Sequence, residues 1–249
     1  MSKMVCVLAL CIVAVRGLQE QKATDAGKFF ALTPGTYWLY QGTVRWEEPE
    51  EEKPGSTDVT WKMAVQRVIR KKDVVAAVVT GFPADLDWSG GKAEARPWLI
   101  VENEKHEVYY ENLGPEYDLS RLNGDDHIFD KFQVGDNLLL QWPLRIGAKF
   151  CDEEAKKRED DMYCWVVGES KKTKLEKVKG LPSEEQTVYR IHYRTLPDDT
   201  TIELVQGIGL VSYEYHHHGT VADTELQLVE FHPGAGEAEV KDNKNDPAH

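Results

Sequence analysis

The feature that most restricts the fold of this chain is a regular alternation of apolar and polar residues in short runs. In residues 207–219, odd-numbered positions from Val211 to His217 are mainly apolar or aromatic, and even-numbered positions from Ser212 to His218 are polar. Side chains of a strand point alternately to its two faces, so this run predicts a half-buried antiparallel strand. The glycines that precede the run suit a bulge or a close approach of backbone.

Comparable runs are spread along the chain and are separated by turn residues. They predict strands near residues 36–46, 59–66, 73–80, 97–101, 107–110, 138–144, 163–167, 188–195, 200–205 and 224–231. The run at 73–80 is apolar throughout, which predicts burial on both faces. One short helix is predicted at residues 115–122, between a first-turn proline and Gly124. The pattern favours an all-β fold, an antiparallel meander of about ten strands that forms a curved sheet, half-barrel, barrel or sandwich.

The N-terminus has the pattern of an export signal. Lys3 precedes an uninterrupted apolar run at residues 4–15, and small residues then allow cleavage after Gly17. A lipoprotein signal modified at Cys11 is an alternative, although Leu10 stands where a small residue is preferred. A short buried helix or strand is the other alternative. We therefore expect a secreted or periplasmic protein, or one that is lipid-anchored through Cys11.

The expected organisation is a signal peptide at 1–17, one antiparallel β domain at 29–232 and a disordered tail at 233–249. The tail contains too few apolar residues to form a core. No other stretch reaches the ~20 apolar residues of a spanning helix, so no transmembrane span is expected in the mature chain. The formal net charge of −13 disfavours binding to nucleic acid or anionic lipid.

Two cysteines remain once the signal peptide is removed. Cys151 and Cys164 flank a highly charged loop. An exported domain permits oxidation, so we expect these two residues to form a disulfide.

The histidine-rich strand is the strongest candidate for metal chemistry. Glu214, His216 and His218 share one face, and both residue types are zinc ligands. Three such side chains spread over ~13 Å along a strand, however, so at most two neighbours could reach one ion. The alternative is the polar, exposed face of a hairpin. We find no longer catalytic motif, and no cofactor is expected.

Aromatic residues at alternating positions could line either a packed core or a ligand cavity. The positions assigned to this surface are Trp38, Tyr40, Trp61, Met63, Tyr213 and Tyr215. A weaker set of oxygen ligands, Asp85, Asp87 and Ser89, has an incomplete calcium-loop spacing.

Three short motifs span most of the mature chain. Residues 32–40 (LTPGTYWLY), 142–150 (WPLRIGAKF) and 207–211 (GIGLV) occur in that order. This set resembles a loose group of secreted bacterial β-rich proteins and lipoproteins of unknown function. The chain has Phe150 where the group prefers Trp and Gln206 where it prefers Pro. The resemblance implies a bacterial envelope setting and supplies no catalytic residue.

These observations favour an exported, non-enzymatic binding or envelope-associated module. Its partner would be a small apolar ligand or an envelope protein, and the identity of either is unknown. Two alternatives stay open: a metal-dependent hydrolase that uses the Glu214, His216 and His218 strand, and a purely structural secreted domain.

Overall fold

The computed structural model describes residues 29–47, 53–71, 73–124 and 127–235. The predicted signal peptide, Cys11 and most of the predicted tail lie outside the described residues. Within these residues, no helix has the length and apolar character needed to cross a membrane.

Twelve strands account for about half of the described chain. They are β1 (Tyr37–Trp46), β2 (Gly55–Lys71), β3 (Val74–Thr80), β4 (Pro97–Asn103), β5 (Glu107–Asn112), β6 (Leu138–Gln141), β7 (Lys149–Phe150), β8 (Trp165–Thr173), β9 (Gln186–Arg194), β10 (Asp198–Val205), β11 (Gly209–His217) and β12 (Ala222–His232). Each run of alternating residues therefore forms a strand close to its predicted place.

All twelve strands belong to one antiparallel sheet with the order β6-β5-β4-β3-β2-β1-β12-β11-β10-β9-β8-β7. The first and last strands pair along their length, from Tyr37 opposite His232 to Trp46 opposite Ala222. The edge strands β6 and β7 come close to each other. The sheet is thus a nearly closed barrel, which confirms the predicted all-β antiparallel meander.

The interior of the barrel is packed with aromatic and aliphatic side chains. Trp38, Tyr40 and Met63 are fully buried there. The Trp38 indole Nε1 donates a hydrogen bond to the Ile208 carbonyl at 2.8 Å, and the Tyr40 hydroxyl donates to the Leu210 carbonyl at 3.0 Å. These bonds tie β1 to the start of β11 and satisfy polar groups that would otherwise be buried without partners.

A second apolar cluster covers the outer face of β3 and β4. Ala76 and Val78 pack with Leu122 and Phe129, which lie in the segment after β5. The inward neighbours Ala77 and Val79 belong to the barrel core. Strand β3 is therefore buried on both faces, as its uninterrupted apolar sequence predicts.

The helical segments differ from prediction. In place of a helix at residues 115–122 there is a 3₁₀ helix at Leu119–Asn123, capped by Asp118, which accepts a hydrogen bond from the Ser120 amide at 2.9 Å. The α-helix that is described, α1 (Glu153–Lys156), lies in the charged loop instead. Its cap Asp152 accepts bonds from the Glu154 and Ala155 amides. A single capped turn has no apolar periodicity by which a sequence could reveal it.

The predicted disulfide is present and closes this charged loop. Cys151 and Cys164 are 13 positions apart and their Cα atoms lie 4.8 Å from each other. Ala155 and Val166 pack beside them in a small buried cluster. A cross-link of this span contributes about 3 kcal/mol in the chain-entropy model.

Candidate functional site

A cavity of ≈ 180 Å³ lies inside the barrel, between its two halves. One wall is a chain of aromatic rings from strands β4, β5, β8 and β9 and from the loop after β3. The successive ring centroids, for Phe82, Trp98, Tyr110, Trp165 and Tyr193, are separated by 4.9, 5.9, 6.3 and 5.1 Å. Rings packed in this way are held by their neighbours, so the wall is preformed.

The rest of the lining includes the carboxyl groups of the cavity. Tyr213 and Tyr215 project from β11, Asp198 lies at the start of β10, and Asp87 comes from the loop between β3 and β4. Among the described residues that line the cavity there is no lysine, arginine or histidine. The site thus combines aromatic surface with two carboxyl groups and offers no positive charge of its own.

Asp87 is the least satisfied polar group in the cavity. The Tyr213 hydroxyl donates to its Oδ2 at 2.5 Å. Its Oδ1 is buried and has no hydrogen-bond partner among the described residues. The Thr224 hydroxyl is also buried, and it makes no hydrogen bond of normal geometry to any described residue. It lies close enough to Asp87 to favour the ionised form of that carboxyl group and so to lower its pKa. The carboxyl group of Asp87 therefore lines the cavity but is incompletely hydrogen-bonded, with its buried Oδ1 near the Thr224 hydroxyl.

Burial raises the pKa of Asp87 to about 7, because water no longer stabilises its charge. The interaction with Tyr213 lowers this pKa, and the negative charges of Asp198 and Asp85 raise it. Perturbed carboxyl groups of this kind concentrate at functional sites, because burying a charge without full pairing lowers stability.

Asp198 has the opposite character. Burial raises its pKa, but hydrogen bonds from the Tyr215 hydroxyl at 2.6 Å, from His217 and from Thr195 outweigh that effect and leave the pKa below its ordinary value. His217 Nδ1 lies 2.9 Å from Asp198 Oδ1. Asp198 is therefore ionised at neutral pH and adds a fixed negative charge beside the cavity.

The loop that carries Asp87 is anchored by Asp85. This fully buried carboxylate accepts bonds from the Arg96 amide and Nε and from Trp98 Nε1, each at 2.9 Å. Ser89 turns away and accepts a bond from the Gly91 amide at 3.2 Å. The three oxygen-bearing residues considered from sequence thus point to different partners and do not converge on one ion.

The histidine strand is engaged residue by residue with separate partners. Glu214 forms an ion pair with Arg190 at 2.8 Å. His216 contacts Asp223 at 3.2 Å, and His218 contacts Asp199 at 2.8 Å. Among the described residues, no three His, Cys, Asp or Glu side chains are grouped so that they could hold a metal ion. The structure does not bring the three candidate ligands together.

The six aromatic or apolar positions proposed as cavity lining are divided among three environments. Tyr213 and Tyr215 line the cavity. Trp38, Tyr40 and Met63 lie in the packed core. Trp61 is half-buried, and its Nε1 donates to the Gly81 carbonyl at 2.8 Å.

A second pocket of ≈ 310 Å³ is lined by Trp46, by Asp223 and by Trp88 of the loop between β3 and β4. Its charged lining residues are Arg45, Glu47 and Asp223, of which Arg45 and Asp223 pair with each other at 2.6 Å. Because Arg45, Glu47 and Trp88 are exposed, we regard the cavity at Asp87 as the stronger candidate site.

No protein-family model matches this chain. No curated protein matches its sequence. Solved structures with a similar course of the chain include a predicted exported protein with a YmcC-like fold from Bacteroides fragilis, with a TM-score of 0.40 and 9% identity over 82% of this chain and 99% of that one.

A predicted lipoprotein from Parabacteroides distasonis gives a TM-score of 0.33 and 13% identity over 82% of this chain and 99% of its own. MucB gives a TM-score of 0.26 and 11% identity over 91% of this chain and 62% of its own. At these identities and TM-scores no function is transferred from any of the three.

Proposed function

We propose that the protein is an exported, non-enzymatic module that binds a small molecule inside its barrel. The observation that carries this proposal is the cavity of ≈ 180 Å³, which is lined by aromatic rings and by the incompletely hydrogen-bonded carboxyl group of Asp87. Binding sites are typically concave and mostly apolar, with a few convergent polar groups, and the mouths of barrels are frequent locations. The signal-like N-terminus and the disulfide support export.

The size of the cavity limits the ligand. Sites for drug-sized molecules enclose roughly 300–1,000 Å³. A volume of ≈ 180 Å³ fits a smaller molecule, such as a single ring with a short substituent. Because the aromatic wall is already packed, the ligand would enter with little rearrangement of the strands, which limits the ordering cost of binding.

Filling the cavity is expected to abolish binding. Ala84 lines the cavity from the 3₁₀ helix Pro83–Asp85, so an Ala84→Trp side chain would occupy the space of a ligand. Ala95 lies in the same loop and is exposed, which makes Ala95→Trp a matched control. Calorimetric titration with benzylammonium and benzyl alcohol should show binding of at least one probe to the wild type and to Ala95→Trp. Ala84→Trp should lose at least tenfold in affinity.

Two results would contradict the proposal. One is that neither probe binds the wild-type protein at millimolar concentration. The other is that Ala84→Trp binds as tightly as Ala95→Trp, which would place any binding outside the cavity.

A further inference from the structure

We infer that the ligand is a small protonated amine, whose ammonium group pairs with Asp87 while its apolar part lies against the aromatic wall. This inference rests on the proposed function, because it names the chemical class of molecule that the cavity takes.

The carboxyl groups of the lining favour a cationic ligand. Asp87 and Asp198 both line the cavity, and its described lining residues include no cationic side chain; His217 contacts Asp198 from outside the lining. An anionic ligand would meet two carboxyl groups, and a neutral ligand would leave the charge of Asp87 without a counter-charge in the cavity. A cation relieves both problems, since a buried charge is tolerated when it is paired and hydrogen-bonded.

The carboxyl group of Asp87 is incompletely hydrogen-bonded. Tyr213 donates to its Oδ2, whereas its buried Oδ1 lies near the Thr224 hydroxyl and has no hydrogen bond of normal geometry to any described residue. A quaternary ammonium has no N–H and could not donate to this carboxyl group. A primary or secondary ammonium group can donate to it, and a charge-assisted hydrogen bond of this type is stronger than one between neutral groups.

The aromatic rings of the lining suit both the charged and the apolar part of an amine. Trp98 and Tyr110 are stacked with an interplanar angle of 7°, and Trp165 meets Tyr110 edge-on. Aromatic rings attract cations through the negative potential of their faces, and they also provide apolar surface for the rest of the ligand. The lining therefore suits both parts of a small amine.

The formal net charge of −13 gives the surface a negative potential, which favours the approach of cations over that of anions. The negative charge of the whole protein and the carboxyl groups of the cavity both favour a positively charged ligand.

The test compares two probes of nearly equal size and shape. Benzylammonium carries a charge and N–H donors, and benzyl alcohol carries a neutral hydroxyl. Calorimetric titration of the full chain at pH 8 should show at least tenfold tighter binding of benzylammonium. Asp87→Asn should remove this preference. Asp58→Asn, which neutralises an exposed carboxylate on β2, should retain it and controls for the change in net charge.

The outcomes separate this inference from the proposed function. If benzyl alcohol binds as tightly as benzylammonium and Ala84→Trp abolishes both, the cavity is a binding site but its ligand is not an amine. If Asp87→Asn keeps the preference for benzylammonium, the ammonium group does not pair with Asp87. If neither probe binds the wild type, both proposals fail. Thermal unfolding of each variant checks that a loss of binding is not a loss of folding.

Discussion

Asp87→Asn is expected to raise the free energy of unfolding at pH 8 by up to about 4 kcal/mol. Burial raises the pKa of Asp87 from 3.8 to about 7, and each unit corresponds to ~1.4 kcal/mol. Because the folded-state pKa lies above the unfolded-state value, the contribution of Asp87 to stability is fully present below about pH 4 and is lost as the pH rises through 7. Asparagine carries no charge and avoids this loss.

The groups around Asp87 do not obscure this effect. Burial raises the pKa of Tyr213, Tyr215 and Tyr110, so these tyrosines stay neutral at pH 8. Asp198, with its lowered pKa, stays ionised, and the buried Asp85 is held by Arg96 and Trp98. Comparing the wild type and the variant at one pH also cancels every contribution that the two proteins share.

Urea denaturation at pH 8 and pH 5 measures the effect. The stabilisation by Asp87→Asn should fall to about half or less at pH 5, where the wild-type carboxyl group is protonated in the folded protein. The exposed Asp58→Asn should change stability by at most ~0.5 kcal/mol at either pH. A lower stability of Asp87→Asn at pH 8, or an equal gain at both pH values, would contradict the account of Asp87 as a buried, incompletely paired carboxylate.

Trp38→Ala is expected to lower the free energy of unfolding by about 3–5 kcal/mol. The Trp38 side chain is 0% exposed and packs against Phe30 and Phe231. Its removal leaves a cavity in the core and deprives the buried Ile208 carbonyl of its hydrogen-bond donor. Urea denaturation provides the measurement.

Trp88→Ala is the matched control for this prediction. Trp88 is 59% exposed and should lose no more than ~1 kcal/mol when truncated. Equal losses for the two variants would show that Trp38 is not part of a packed core. Where Trp38→Ala remains folded, it should keep its preference for benzylammonium, since Trp38 is outside the cavity lining.

The strands and part of the site follow from local sequence patterns. Alternation places Tyr213 and Tyr215 on the apolar face of β11, and both residues line the cavity. The pairing of Cys151 with Cys164 follows from their number and from expected export, and the structure contains it. These features depend on a period of two residues or on a count, which a single sequence displays directly.

The remaining part of the site depends on strand order, which no local pattern encodes. Asp87 and Tyr213 are 126 positions apart, and Asp87 lies in a loop without periodicity. The same limit applies to the core. Trp38 and Tyr215 both lie on the apolar face of an alternating run, yet only Tyr215 lines the cavity. Closure of the sheet decides which aromatic residue faces a packed neighbour and which faces open space.

Titration of the Asp87 carboxyl carbon by NMR, with and without benzylammonium, tests whether a buried carboxyl group pairs with an amine in the cavity. We expect a midpoint near pH 7 in the free protein, because burial raises the pKa of Asp87 to about 7. A saturating cation should lower this midpoint by at least about one pH unit, because an ion pair favours the ionised carboxylate. A midpoint near the ordinary aspartate value of ~4, or one that does not move when benzylammonium is added, would contradict the account.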